Sequence, residues 1–416
     1  MTTSEDAQVS DSARQISLIR HSQFALYWWT RVLSTAGYQI IQVAIQWQIY
    51  QLTGSPFHLG MIGLVMFIPV IAGTFLIGYV ADHYDRRGVI RLCQISKALG
   101  AVILIVASYT GHISVPLIYF VVFIVGAGRA FEGPTLHTIP PSIMPQEVLS
   151  RAIAAGNTAQ QVAVIGGPFV GGLLLQGGTN LVYYVCFAMF VIASVCITMV
   201  KIKKPAKSKK SVTLETIFAG LRYLWTRPII FGAITLDLGA ALVGGVTALL
   251  PIFAKDVLGG GPFELGLLRA SPAIGALIMG FVLSNIQINR HAGRIMVGAV
   301  VLYGLSLAVF GFSTWLWLSM LMLAMSGAAD AVSVVVRHSL VQTRTPNEML
   351  GRVMAVNSTF TGTTSNLGQF ESGLVASLIG TMPAAIVGGI GAAAIAVLWI
   401  RLFPDFWRVQ SVIPEQ

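Results

Sequence analysis

Long apolar runs follow one another along almost the whole chain, each ended by a short polar, glycine- or proline-bearing break. A helix of about 20 apolar residues crosses a hydrocarbon core. That length picks out twelve predicted helices: 23–49, 59–81, 89–109, 113–136, 149–175, 180–200, 229–253, 264–285, 293–312, 314–336, 350–379 and 382–403. Polar residues carry the fourth and tenth on to Thr138 and Arg337, and the longest, 350–379, is expected to begin with a turn or more in water. Residues 1–20 form a polar tail, and the first apolar segment is too long for the core of a cleavable signal.

The breaks repeat. Leu52-Thr53-Gly54-Ser55-Pro56-Phe57-His58-Leu59-Gly60 returns 206 positions later as Leu258-Gly259-Gly260-Gly261-Pro262-Phe263-Glu264-Leu265-Gly266. Pro145, Glu147, Leu149, Arg151 and Ala154 recur as Pro346, Glu348, Leu350, Arg352 and Ala355, at an offset of 201. Duplicated halves in an apolar chain are a common build of secondary transporters, with the substrate path between the halves. The expected fold is all-α: two six-helix bundles, 23–200 and 229–403, related by a pseudo-twofold axis normal to the membrane. Tails at 1–22 and 404–416 and a linker at 201–228 complete the division.

Composition agrees, with 55% hydrophobic residues and only 10% charged, against about 25% charged in soluble domains. With twelve spans, one side of the membrane receives Arg14, Arg20, Arg86, Arg87, Arg91, Arg151, the lysines of 201–210, Arg222, Arg227, Arg290, Arg294, Arg337, Arg344, Arg352, Arg401 and Arg408; the other holds Lys255 alone. The positive-inside rule then puts both termini in the cytoplasm. The net charge of +10 is this asymmetry, and no basic, aromatic-interleaved domain exists to bind nucleic acid. In the linker, apolar residues at 214, 217, 218, 221, 224 and 225 have helical spacing, which predicts a short helix lying on the membrane surface. Cys93, Cys186 and Cys196 fall inside predicted spans, and neither they nor the scattered histidines have metal-ligand spacing. No Ser/His/Asp, phosphate-loop or metal constellation suggests an enzyme.

Three local patterns carry candidate chemistry. In Gly78-Tyr79-Val80-Ala81-Asp82-His83-Tyr84-Asp85-Arg86-Arg87, an acid at a helix end precedes two arginines able to grip neighbouring helices. Thr345-Pro346-Asn347-Glu348 has capping-box spacing and predicts a helix start whose positive end is a natural partner for Asp82. In Arg129-Ala130-Phe131-Glu132-Gly133, an arginine inside hydrocarbon needs a partner, and Glu132 lies one turn on. Such a pair is either proton-coupling, because the arginine sets whether the carboxylate is charged, or a permanent structural ion pair. In Gly166-Gly167-Pro168-Phe169-Val170-Gly171-Gly172, glycines allow close helix approach and Pro168 bends the helix.

Other charges within spans are Arg31, Lys97, Asp237, Arg269, Asp330 and Glu371. Arg31 and Asp237 are 206 apart and so occupy equivalent places in the two halves. They either pair across the axis when the halves close or bind a polar substrate when they open. Gln39, Gln42 and Gln46 share a face of the first helix and are expected to line the cavity with Arg31, Asp237, Asp330 and Glu371.

These motifs resemble the major facilitator superfamily. The Asp82 segment is similar to its Gly-x-x-x-Asp signature, with His83 and Asp85 departing from the usual Arg/Lys and Gly. Arg129–Gly133 is similar to a pattern of proton-coupled members, and Gly167, Pro168, Gly171 and Gly172 match the core of the exporter motif, with Ala154 and Ala163 where its earlier glycines stand. The Gly-Ser-Pro-Phe-x-Leu-Gly loop and Gln342-Thr343-Arg344-Thr345-Pro346-x-x-Met349-Leu350-Gly351-Arg352 extend the likeness to the enterobactin-exporter-like and macrolide-efflux branch. The resemblance implies a cytoplasmic gate of Asp82, Arg86, Arg87, Thr345 and Glu348. It also implies proton coupling through Arg129, Glu132 or Asp237, and proton-driven export of a siderophore or other amphipathic solute from the bacterial inner membrane. An uncoupled facilitator, a carrier of lipid-like substrates and a non-transporting receptor or scaffold are the competing readings. No cofactor beyond a proton gradient is expected. The expected partners of a monomer are the small molecule, the bilayer and an outer-membrane efflux component.

Overall fold

The computed structural model describes residues 21–202, 221–286 and 291–409, apart from the side chains of residues 74–83 and 347. A helix occupies each of the twelve predicted spans: α1 Ser22–Thr53, α2 Pro56–His83, α3 Arg86–Thr110, α4 Val115–His137, α5 Gln146–Leu175, α6 Thr179–Met199, α7 Pro228–Val243, α8 Pro262–Asn285, α9 Ala292–Phe312, α10 Leu316–Arg344, α11 Asn347–Ile379 and α12 Thr381–Leu402. Among the described residues ten helical stretches are long and apolar enough to cross a membrane, one of them Pro228–Val257, in which α7 continues into the turns that follow it. The two missing from that group are α1 and α11, whose faces are broken by glutamines, threonines and serines.

Neighbour relations repeat between the halves. Helix α1 packs on α5 and α6, as α7 does on α11 and α12; α3 packs on α4 and α6, as α9 does on α10 and α12. Two seams join the halves, α2 with α11 and α5 with α8, and these are each other's equivalents. The repeated loop is built alike but not identically. Each copy turns on a left-handed glycine, Gly54 (φ 61°) or, one position earlier in the repeat, Gly259 (φ 63°), which a side chain would strain. Pro56 and Pro262 then open the next helices, where a missing N–H costs nothing.

Apolar packing is continuous at one end of the molecule and divided at the other. One large cluster joins Ile45, Ile49, Leu59 and Leu175 of the first half to Leu249, Phe253, Leu265 and Phe310 of the second. Toward the terminal side, Phe24, Tyr27, Ile90 and Val148 form one cluster, while Leu236, Met296, Val300 and Phe406 form another. Large apolar side chains such as Leu92, Phe120, Phe281, Leu302 and Leu378 point outward, as a hydrocarbon-facing surface requires.

Three local expectations are revised. The seventh span is not one helix. Helix α7 stops at Val243, and the chain continues as a 3-10 turn (Val246–Leu249), a short α turn (Leu250–Ile252) and a π turn (Phe253–Val257). Gly244-Gly245 makes the break, and Gly245 lies so close to the Gly368 carbonyl of α11 that no Cβ would fit. Thr345 is not an N-cap: the cap of α11 is Pro346, with no side-chain cap bond. Instead Thr345 ends α10, its hydroxyl buried with no hydrogen-bond partner among the described residues. The surface helix expected at 214–225 lies mostly outside the described residues; residues 221–225 are helical.

Candidate functional site

In the first half the buried charge is self-contained. Lys97 of α3 donates to Glu132 of α4 at 2.6 Å, both side chains being fully enclosed. Gln94 donates to the other carboxylate oxygen at 2.6 Å, Ser34 donates to the same oxygen, and Lys97 reaches Ser34 at 2.6 Å. The partner of Glu132 is therefore Lys97 and not Arg129. A lysine meets the carboxylate from the neighbouring helix, and Arg129 turns instead onto the Tyr38 ring, its guanidinium carbon 5.2 Å from the centroid. The sequence carried a signal for this: Gln94 and Lys97 are one turn apart on an otherwise apolar helix.

Helix α1 is the polar wall of this half. Arg31 donates to Tyr27 Oη at 2.9 Å, Asn157 Oδ1 at 3.1 Å and Gln160 Oε1 at 3.2 Å. The expected partner of Arg31 across the axis, Asp237, is engaged within its own half, so the two do not meet. Gln39 packs on Gly167, Gln42 donates to Met66 Sδ at 3.1 Å, and Gln46 accepts from Arg269 of α8 at 2.6 Å. The three glutamines thus fill helix contacts in this conformation.

The second half opens its charge to a cavity. Arg337 of α10 pairs with Asp237 of α7 at 2.9 Å, and Ser333 donates to Asp237 at 2.7 Å. Both border a cavity of about 280 Å³ with Asp330, Tyr303, Thr361 and Gln369, where the broken helix also exposes Gly244 and Gly245. Asp330 has no ion-pair partner within 4 Å among the described residues. Arg337, counted above among the surface charges, is instead buried; Asp330, Ser333 and Arg337 recur at one- and two-turn spacing, the pattern that marks one helix face. Glu371 lies elsewhere, half-buried beside Ser372.

The seams are glycine contacts. A Cβ on Gly172 would meet the Gly266 Cα at 2.9 Å and the Pro262 carbonyl at 2.6 Å; one on Gly60 would meet the Gly373 Cα at 2.9 Å. Gly60 and Gly266 are equivalents in the repeated loop, so one device closes both seams at the same end. Gly167 and Gly171 hold α5 against Gln39 and Ile40 of α1, and α5 runs unbroken through Pro168. Beside the seams Tyr50 donates to Asp256, also 206 residues on, and Lys255 stands 5.5 Å from the Tyr50 ring.

At the opposite end Arg86 donates to the Thr138 carbonyl at 3.1 Å and Arg87 to the Val200 carbonyl at 3.1 Å. They tie the start of α3 to the ends of α4 and α6. Asp85 caps α3 and pairs with Arg87 at 3.4 Å. Glu348 is exposed in the first turn of α11, and the Asp82 side chain lies outside the described residues. Among the described residues no three His, Cys, Asp or Glu side chains form a metal-sized group.

Comparison with known proteins places this geometry. The profile of the transmembrane secretion effector family matches residues 13–412. The enterobactin exporter EntS of Shigella boydii serotype 18 is 25% identical over 406 residues, 96% of each chain, and that of Escherichia coli O81 is 24% identical over the same share. Among solved structures, a bacterial homologue of the human lysosomal transporter Spinster, inward-facing and unoccupied, superposes with a TM-score of 0.73 at 15% identity, covering 94% of this chain and 98% of that one. A D-xylose–proton symporter gives 0.68 at 12% identity, covering 94% and 99%. The chain belongs to the transmembrane secretion effector family of the major facilitator superfamily, and is a multi-pass membrane transporter of small molecules.

Proposed function

We propose that the protein is a proton-driven exporter of a siderophore or similar amphipathic solute, working by alternating access in a bacterial inner membrane with both termini in the cytoplasm. Export of a siderophore is supported by the full-length match to proteins named enterobactin exporters. The observation that carries proton coupling is the acid cluster of the second half. Asp330 borders a cavity without an ion-pair partner, next to an Asp237 carboxylate already held by Arg337. A carboxylate that water can reach and that no base neutralises can take up and release a proton. Glu132 is the weaker candidate, since it is enclosed with Lys97. Under the positive-inside orientation, the glycine seams and the Tyr50–Asp256 contact close the outer side. The divided apolar clusters leave the halves separate on the cytoplasmic side, consistent with a state that loads solute from within.

Proteoliposomes test this. An imposed pH gradient should drive enterobactin against its concentration gradient, with Asp330→Asn and Asp237→Asn losing the uphill component. Transport that ignores dissipation of the pH gradient would mean an uncoupled facilitator.

A further inference from the structure

Three membrane-embedded arginines converge on α1 without a carboxylate. Positions 31, 38 and 46 lie on one side of that helix and span about 22 Å at 1.5 Å per residue. Arg31 is the first; Arg129 covers Tyr38 from α4; Arg269 reaches Gln46 from α8. Among the described residues the ion pairs are Arg87–Asp85, Lys97–Glu132 and Arg337–Asp237, so none of the three arginines has a carboxylate within 4 Å. Arginine does not escape the cost of a low-dielectric site by losing its proton, and an unmatched charge in hydrocarbon is expensive. Arg129 stands out further: among the described residues no acceptor takes a hydrogen bond from its guanidinium, which is half-buried with its central carbon 5.2 Å from the Tyr38 ring centroid. A guanidinium whose N–H groups meet no acceptor can give two parallel bonds to an oxyanion.

We propose that this side of α1 is an anion-recognition track, so that the solute carries an oxyanion such as a carboxylate. Arg129 makes the direct contact. Arg31, behind the amides of Asn157 and Gln160, and Arg269, beside Gln46, extend the positive field along the path. This rests on the export reading above and adds to it the charge of the solute and the residues that select it. The acids of α7 and α10 lie on other helices: the anion then binds along α1 and the proton at Asp237 and Asp330, so neither neutralises the other's site.

The test uses two dyes of one ring system, 5-carboxyfluorescein (anionic) and rhodamine 6G (cationic), titrated by fluorescence anisotropy against the full chain in nanodiscs. The expected result is a preference of at least about tenfold for the anionic dye, with a similar loss of its affinity in Arg129→Gln and a smaller loss in Arg129→Lys. Arg269→Gln, expected to weaken the anionic dye alone by about threefold, provides a second variant should Arg129→Gln fold poorly. Equal binding of the dyes, tighter binding of the cationic one, no binding of either, or a preference unchanged in folded Arg→Gln variants overturns the proposal. Enterobactin transport is measured in parallel. Its absence with dye preference intact sinks the siderophore reading and spares the anion track; its presence without charge preference does the reverse.

Discussion

In the first half, Lys97 and Glu132 neutralise each other in an enclosed network with Ser34 and Gln94, both charged side chains fully buried. In the second, Arg337 and Asp237 form a comparable pair, but at the rim of a cavity, with the unpaired Asp330 beside them and a broken α7 alongside. The helix plan is the same in both halves; the placement of the ion pair is not. Burial turns a pair into structure, because removing one partner leaves a charge that nothing else solvates. Contact with a cavity leaves the carboxylates open to water, protons and solute. The halves differ again in what is left over: lone arginines along α1, and a lone acid on α10.

The largest expected effect comes from breaking the enclosed pair. Lys97→Ala strands Glu132 and should cost about 3–5 kcal/mol, read as lower thermal stability and less folded protein in the membrane. Lys97→Met combined with Glu132→Gln should recover most of it. A single variant within about 1 kcal/mol of wild type would show that the pair is solvated after all.

Next come the seams. Gly172→Val and Gly373→Val each force a Cβ into opposing backbone, an overpacking cost of about 1–3 kcal/mol. Since the two seams are equivalent, both should slow transport and raise thiol labelling of a cysteine placed at residue 263, on a background without the three native cysteines. Normal transport in both variants would mean that the glycine contacts do not gate.

Asp330→Asn sharpens the contrast between the halves. It should leave stability within about 1 kcal/mol and cut gradient-driven transport about tenfold, the scale of a coupling between two sites, while exchange of solute down its own gradient persists. Equal loss of both modes would make Asp330 a substrate contact instead.

The smallest effect belongs to the outer contact. Tyr50→Phe removes one hydrogen bond to Asp256, worth about 1 kcal/mol, and should raise labelling at residue 263 about fivefold. Unchanged labelling would leave outer closure to the glycine seams alone.

Helix positions, the pairing of the repeated loops and the family likeness were all legible in the chain, because each rests on spacing along one strand of sequence. Apolar runs of bilayer length must become helices wherever hydrocarbon offers the backbone no other partner, and Gly54, Pro56, Gly259 and Pro262 mark the same loop twice through backbone needs alone. The partners of the charges were not legible. Glu132 has Arg129 one turn away in sequence, yet it pairs with Lys97 because α3 packs against α4 there; Arg337, read as a surface charge, is buried against Asp237. Likewise Arg31 and Asp237 share the repeat offset and do not meet, whereas Tyr50 and Asp256 share it and do. An offset states equivalence in the two halves, but contact depends on where each helix face turns and on which ends of the bundle have closed. The sequence by itself determined the apolar helices, the duplication and the close approach of helices through Gly167, Gly171 and Gly172, while the contacts of Gly60 with Gly373 and of Gly245 with Gly368 came from the fold. Only the tertiary structure decided which charges neutralise one another and which remain for solute and protons, because side chains far apart in sequence compete for the same partners and the winner is set by packing.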